Sequence, residues 1–417
     1  MPENFHIDMP EAVRNIIHTI EEHGFKAYAV GGCIRDSILG RNPDDWDITT
    51  SAVPSQIKTF FKRTIDTGIV HGTVTVMVNK TGYEVTTYRI DGEYEDGRHP
   101  KSVEFSDRLV DDLCRRDFTI NAMAYNDTDG FVDEFKGLDD LDTKIIRCVG
   151  EPELRFTEDA LRMMRAIRFS AQLGFTIDEA TWNAIKKLAP SINKISMERV
   201  HVELGKTLMS AHPDYVAQYS EAGLFAPILP VIDNALKSRY KRKILATLQH
   251  TPDNIYLRYA ALFITSTPDE AAKTLRALKL DNKTVNTVSK LVELSKMDIE
   301  ETEPAVRTAL NKYGRDFLPL WHELMIAVIQ ASEDITGISN PAKVKHLLTL
   351  KRLGTDILAR GDCFTIKDLD ISGNDLIEYG LQGHEIGETL KSLLDIVIEN
   401  PKLNDKATLI AMIEHIK

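Results

Sequence analysis

The hydrophobic period of the chain changes near residue 150, and that change limits the possible folds more than any single motif. Before it, short alternating runs predominate: TVTVMV at 73–78 and YEVTTY at 83–88, separated by Asn79-Lys80-Thr81-Gly82. Alternating β-branched residues on either side of a short Gly-containing loop predict a β-hairpin, because successive strand side chains point to opposite faces. FKAYAV (25–30) and WDITT (46–50) read as further strands. Helices are expected at 10–22, from the Gly31-Gly32 turn to Gly40, and from Pro54 onward. Proline in a first turn and glycine past a last one are the usual boundary signals. After residue 150, EPELRFTEDALRMMRAIRFSAQLGF and most later segments repeat at helical spacing, interrupted at Pro190, Pro227, Pro230, Pro252 and Pro304. The expectation is therefore an α+β head with a mixed or antiparallel sheet, followed by an all-helical remainder. No repeat of fixed period points to a solenoid.

Composition narrows the setting. A chain of 417 residues, 43% of them apolar, buries a sizeable core and divides into several domains. Mean hydropathy is −0.22, and no apolar run approaches the roughly 18 residues of a membrane span. The opening MPENFHIDMPEAVRN has early acids and no apolar stretch of the secretory kind. The four cysteines form no Cys-x-x-Cys pair, so a reducing cytoplasm is expected. The formal charge of −12 points away from nucleic acid, unless basic residues are concentrated locally.

Three segments carry chemistry. In VGGCIRDSILGRNPDDWDITT (30–50), two glycines between strand and helix let backbone approach a phosphate. The free N–H groups of a helix start and Arg35 add donors there. A structural turn is the alternative reading, and the spacing matches neither a dinucleotide-binding fingerprint nor a Walker loop. Asp45 and Asp47 are two apart; on a strand their carboxylates fall on one face, about 6–7 Å apart along the chain. Such a pair repels unless a cation neutralises it, and hard oxygen donors suit Mg²⁺. Glu84 on the neighbouring hairpin is the candidate third carboxylate, with an exposed strand glutamate as the alternative.

In DLCRRDFTINAMAYN (112–126), Arg116 is placed to clamp a triphosphate, and Asp117 or Asn121 to accept from a ribose hydroxyl; a surface ion-pair cluster is the competing reading. In TEDALRMMRAIRF (157–169), a helical wheel puts Glu158, Asp159, Arg162, Arg165 and Arg168 on one half and apolar residues on the other. Glu158 and Arg162, four apart, are spaced for the acid to orient the guanidinium. A solvated ion-paired face is the ordinary explanation. Asp159 and Arg162 together also match an edge shared by cytosine and adenine, an amino donor beside a ring-nitrogen acceptor. Guanine and uracil reverse both roles, and hydrogen-bonding sites reject such mismatches by about 10⁴–10⁵.

These three segments, in this order, resemble the class II CCA-adding enzymes (tRNA nucleotidyltransferases) of bacterial type. RIDGEYEDGRHPKSVEF (89–105) looks like that family's flexible loop, FKGLDDLDTKIIRCVG (135–150) like its head-to-neck joint, ISMERVHVELGKTL (195–208) like its neck motif, and DLDISGNDLIEYGLQGHEIGETL (368–390) like its tail. The resemblance implies a nucleotidyltransferase palm at 1–149, a base-reading neck at 150–209, a helical body at 210–300 and a tRNA-binding tail at 301–417. It implies metal-binding catalytic carboxylates at Asp45 and Asp47, with Glu84 beside them. Nucleotide contacts are implied at Gly32, Arg35, Arg116, Asp117, Arg165 and Arg168, with Asp159 and Arg162 reading the base. It also implies Mg²⁺, CTP and ATP as substrates, pyrophosphate as product, the tRNA acceptor arm as partner, and a homodimer among the assemblies of such enzymes.

Two related activities share the head motifs. A bacterial poly(A) polymerase is expected to carry a strongly basic extension, and the chain ends instead in KLNDKATLIAMIEHIK. Enzymes that add only CC lack the full flexible loop, whereas 89–105 looks complete; A-only addition stays open. A catalytically silent RNA-binding protein on the same scaffold is disfavoured by the intact Asp45 and Asp47. Two basic groups, Lys237/Arg239/Lys241/Arg242/Lys243 and Lys343/Lys345/Lys351/Arg352, are the candidates for touching an RNA backbone.

Overall fold

The computed structural model describes residues 6–92 and 102–416, with side chains through Ile413. The centre of the expected flexible loop, 93–101, lies outside the described residues. The chain divides into two compact units, Met1–Pro230 and Val231–Lys417.

The first unit is built on a seven-stranded mixed sheet. Its members are β1 (Ala27–Val30), β2 (Asp47–Thr50), β3 (Thr64–Gly68), β4 (Thr73–Val78), β5 (Thr81–Thr87), β8 (Ala124–Asn126) and β9 (Gly130–Val132), in the order β3-β4-β5-β2-β1-β8-β9. A separate ribbon pairs β6 (Arg89–Asp91) with β7 (Val103–Phe105). The β1 sequence, AYAV, is buried at every position because β2 and β8 flank it and α1 (Glu11–Glu22) packs against it. The apolar stripe of α1, Val13, Ile16, Ile17 and Ile20, is the face it buries.

The hairpin is tighter than the alternation suggests. Asn79 and Lys80 both have positive φ, 49° and 69°, and Val78 pairs directly with Thr81. Two left-handed residues make a two-residue turn that matches strand twist. Thr81 and Gly82 therefore belong to β5 and not to the loop. Since β5 also pairs in parallel with β2, Ile48 against Val85, the hairpin is attached to the strand that begins with Asp47.

The remaining elements of this unit are mainly helical: α2 (Gly32–Ile38), α3 (Pro54–Phe60), α4 (Leu109–Cys114), α5 (Gly137–Asp142), α6 (Pro152–Glu158), α7 (Leu161–Leu173), α8 (Glu179–Leu188) and α9 (Met197–Leu208). A two-residue parallel pair, β10 (Ile145–Ile146) with β11 (Thr176–Ile177), ties the approach to α6 to the turn after α7. The TEDALRMMRAIRF segment is not one helix. Asp159 is extended, with φ −143° and ψ 104°, and its Oδ1 accepts from Leu161 N at 3.0 Å. The aspartate ends one helix and its side chain serves the first turn of the next, which a continuous periodicity conceals.

Every described element of the second unit is helical. Its helices start on side-chain caps from Asp281, Thr302, Asn340 and Ser372. The buried Arg307 donates to the carbonyl of Ile398 and pairs with Asp362 at 2.9 Å, joining three helical segments. Of the two basic groups, Lys237 is paired with Asp233 at 2.8 Å, while Lys243, Lys343 and Lys345 are exposed. No described helix is long and apolar enough to cross a membrane.

Candidate active site

The turn after β1 sets the geometry. Gly31 has φ +85°, and a Cβ there would lie 2.9 Å from Arg116 Nη1. Glycine is required both for the backbone angle and for the close passage of that guanidinium. Arg116 in turn donates Nη2 to Asp112 Oδ2 at 3.1 Å, and its Nε is buried without a hydrogen-bond partner. A buried unsatisfied guanidinium N–H beside a glycine turn is a donor suited to an anionic oxygen.

Asp112 is fully buried and holds both arginines of the RRD triplet. Its Oδ1 accepts from Arg115 Nη2 at 2.5 Å and its Oδ2 also accepts from Thr49 Oγ1 at 3.1 Å. Burial pushes its carboxyl up, but Arg115 and Arg116 outweigh this and hold it below the usual range. Thr49 is on the strand of Asp47, so the arginines are anchored to that strand. Spacing was the available signal: Asp112 lies three and four residues before the two arginines on a helix end.

Asp47 opens β2 opposite Val30, whereas Asp45 precedes the strand in irregular backbone. The expected alternation along one strand thus does not apply to Asp45. Both are exposed. Asp47 and Glu84 line one cleft of about 230 Å³, with Arg89, Arg115 and Arg116 on its walls. Crowding by the walls raises the Asp47 pKa, Arg116 opposes the rise, and Asp45 adds to it. Glu84 is raised by the same loss of water and then by Asp47 and Asp45. The three acids therefore feel one another. Among the described residues none of them has a lysine or arginine ion pair, and no cluster of three metal-ligating side chains is preassembled. Mutually repelling, cation-free oxygen donors fit a divalent cation held by one or two carboxylates together with substrate phosphates.

Around the start of α7, Arg162 and Asp159 each have a partner of opposite charge. Arg162 Nη1 donates to Glu158 Oε2 at 2.6 Å and Nη2 to the Arg115 carbonyl at 2.9 Å, fixing the guanidinium. Asp159 Oδ2 accepts from Arg199 Nη2 at 2.7 Å and Oδ1 from Nη1 at 3.3 Å. Arg199, on α9, had no signal beyond its place in the neck segment, because its partner is 40 residues away in sequence.

Asp117 is buried, with Oδ1 accepting from Phe118 N and Asn121 Nδ2 and Oδ2 from Arg165 Nε at 2.7 Å. Burial raises its pKa, but Arg165, Asn121 and Arg162 together bring it down to about 2. Asn121 Oδ1 accepts from Arg35 Nη1 at 2.6 Å, and Arg35 also forks onto Asp36 at 2.9 and 2.8 Å. Arg35 is thus enclosed behind the turn, with Gly32 beside it. Arg168 is buried against Glu203 at 2.7 Å. The structure thus gathers Asp47, Glu84, Arg116 and the Gly31-Gly32 turn at one end. It gathers Asp117, Asp159, Arg162, Arg165 and Arg168 around the start of α7 and along it.

Residues 27–147 match the poly A polymerase head domain, 174–236 a region described as a probable RNA and SrmB binding site of polymerase A, and 256–413 a tRNA nucleotidyltransferase domain 2. The chain is 37% identical over 407 residues to a CCA-adding enzyme of Limosilactobacillus fermentum, covering 96% of this chain and 95% of that one. It is 35% identical over 425 residues to a CCA-adding enzyme of Streptococcus suis, covering 100% and 98%. Among solved structures it is similar to the Bacillus stearothermophilus CCA-adding enzyme in complex with CTP, with TM-score 0.75, 32% identity, and 97% and 96% of the two chains covered.

Proposed function

Since the chain belongs to the CCA-adding enzymes, we propose that it adds C, C and A in turn to the 3′ end of tRNA, from CTP and ATP and without a template, releasing pyrophosphate. Asp45 and Asp47 would hold a divalent cation, Mg²⁺ in our reading, with Glu84 alongside. When bound, such a cation would lower the pKa of the primer 3′-hydroxyl and supply positive charge to the α-phosphate and the departing pyrophosphate. Arg116 offers its unpaired Nε to the phosphates, and the Gly31-Gly32 turn lets them come close. Asp117, saturated by Asn121 and Arg165, orients these groups around the sugar. The division into palm, neck, body and tail at 150, 210 and 301, and a cytoplasmic setting, complete the reading.

The observation that carries it is the Asp159–Arg162 pair. Each charge is held by a dedicated partner, Arg199 for the acid and Glu158 for the guanidinium. A fixed acceptor beside a fixed donor suits the shared edge of cytosine and adenine, and a mismatched base would leave its own edge unmatched there. The test incubates the protein with a tRNA ending at the discriminator base, Mg²⁺, CTP and ATP. Growth by three nucleotides and then arrest is the expected result. A long A ladder indicates poly(A) synthesis, and absence of extension overturns the proposal.

A further inference from the structure

Three of the arginines assigned to the nucleotide surround one aromatic ring. The guanidinium carbon of Arg168 lies 4.0 Å from the Phe169 ring centroid, that of Arg35 5.0 Å and that of Arg165 5.3 Å. Phe169 is buried, and the Phe118 ring meets it edge-on at 5.7 Å and 80°. Arg35 comes from α2 behind the phosphate turn, whereas Arg165 and Arg168 come from the helix that follows Asp159. Each guanidinium has a carboxylate partner: Asp36 for Arg35, Asp117 for Arg165, and Glu203 for Arg168, the last also reaching Arg165 at 4.0 Å. The ring is the element that all three share.

An aliphatic side chain in that place would desolvate three cations and return nothing, whereas an aromatic face attracts them through its quadrupole. We propose that Phe169 is a positioning residue whose ring electrons set the spacing between the arginine behind the phosphate turn and the arginines of the base-reading helix. Through that spacing it fixes the distance from triphosphate to base that a bound nucleotide must span. The inference rests on the nucleotide role of these arginines and adds to it what holds them in common register. A helical wheel hides this, since Phe169 reads as one more core residue of an amphipathic helix.

Fluorination weakens the quadrupole at nearly constant ring shape, so the test replaces Phe169 in the full chain with 4-fluoro-, 3,5-difluoro- and 3,4,5-trifluorophenylalanine. Addition of C to tRNA ending at the discriminator base and of A to tRNA ending in CC are measured for each. KM for both CTP and ATP is expected to climb stepwise, reaching about 10-fold in the trifluoro protein, with the melting temperature nearly constant. Phe169→Leu should raise KM at least as far, and Phe169→Tyr, which keeps the ring, should stay near the parent value. A flat KM across the fluorinated series, or Leu tolerated better than Tyr, overturns the proposal in favour of simple packing. Failure of the unmodified protein to add C or A would overturn the proposed function itself, and the inference with it.

Discussion

Asp47 and Asp159 are aspartates of the same unit in opposite electrical settings. Asp47 shares its surroundings with Asp45 and Glu84, has no ion-pair partner among the described residues, and has a pKa raised by crowding and by its acidic neighbour against the pull of Arg116. Asp159 is clasped by both Nη atoms of Arg199, and the adjacent Glu158 and Arg162 clasp each other. The difference separates two kinds of work. Under the proposed function, unmatched acids would leave charge for a metal and a triphosphate to neutralise, so they would contribute to the chemical step. Matched pairs are organised in the absence of nucleotide, so under the same proposal they would contribute to choice more than to turnover.

The comparison breaks most visibly at its acidic end. Asp45→Ala is expected to lower nucleotide transfer by about 10³-fold or more, since it removes a proposed ligand of the charge-stabilising cation. Retention of tRNA in a gel-shift assay should be unchanged, as should the far-UV circular dichroism spectrum. At the matched end, Arg162→Ala should lower C-over-U and A-over-G preference by about 10²-fold, read from single-nucleotide incorporation with each triphosphate, while overall transfer falls less. Arg199→Ala, which frees Asp159 without removing it, sharpens the contrast further: a loss of preference of about 10-fold is expected, because the acceptor stays and only its aim is lost.

A pH effect separates the two ends as well. Burial raises the Asp117 pKa, and the opposing pull of Arg165, Asn121 and Arg162 leaves it at about 2, below its unfolded value of 3.8. The folded state thus binds its proton more weakly than the unfolded chain does. Stability from this group is present in full above pH 4 and is lost as pH falls toward 2. Its size is about 2–3 kcal/mol. Asp117→Asn should therefore be less stable than the parent in denaturant titrations at pH 7, and the gap should narrow as pH is lowered through that window. The smallest effect belongs to the second unit. Lys243→Ala and Lys343→Ala should each weaken tRNA binding modestly and reduce the salt dependence of log K by about one unit of slope, measured by filter binding across salt concentrations.

How much of this could be read from the sequence follows from how local each feature is. The hairpin at 73–87 and the helices opened by Pro54 and closed near Gly40 are written in neighbouring residues, so alternation and boundary residues suffice. Asp45 and Asp47 stand out because two acids two apart after a glycine turn have few structural uses. The short strands β8 and β9 are three residues each, too brief for a period to emerge. The break at Asp159 is masked because apolar residues keep their helical spacing across it. Arg199 acts through a contact that only tertiary packing creates, with Arg199 and Asp159 brought together from separate helical segments, and Phe169 meets Arg35 in the same way. The net charge of −12 misleads because a sum over the chain says nothing of where its basic residues are placed.

The most direct test of the division between unmatched and matched acids measures base choice and turnover on the same two variants. Asp47→Ala and Asp159→Ala are compared for CTP against UTP, both in binding to the protein–tRNA complex and in transfer. The expected result is that Asp47→Ala loses transfer yet still binds CTP in preference to UTP, while Asp159→Ala transfers both nucleotides with little preference. Loss of binding preference in Asp47→Ala, or intact preference in Asp159→Ala, would contradict it.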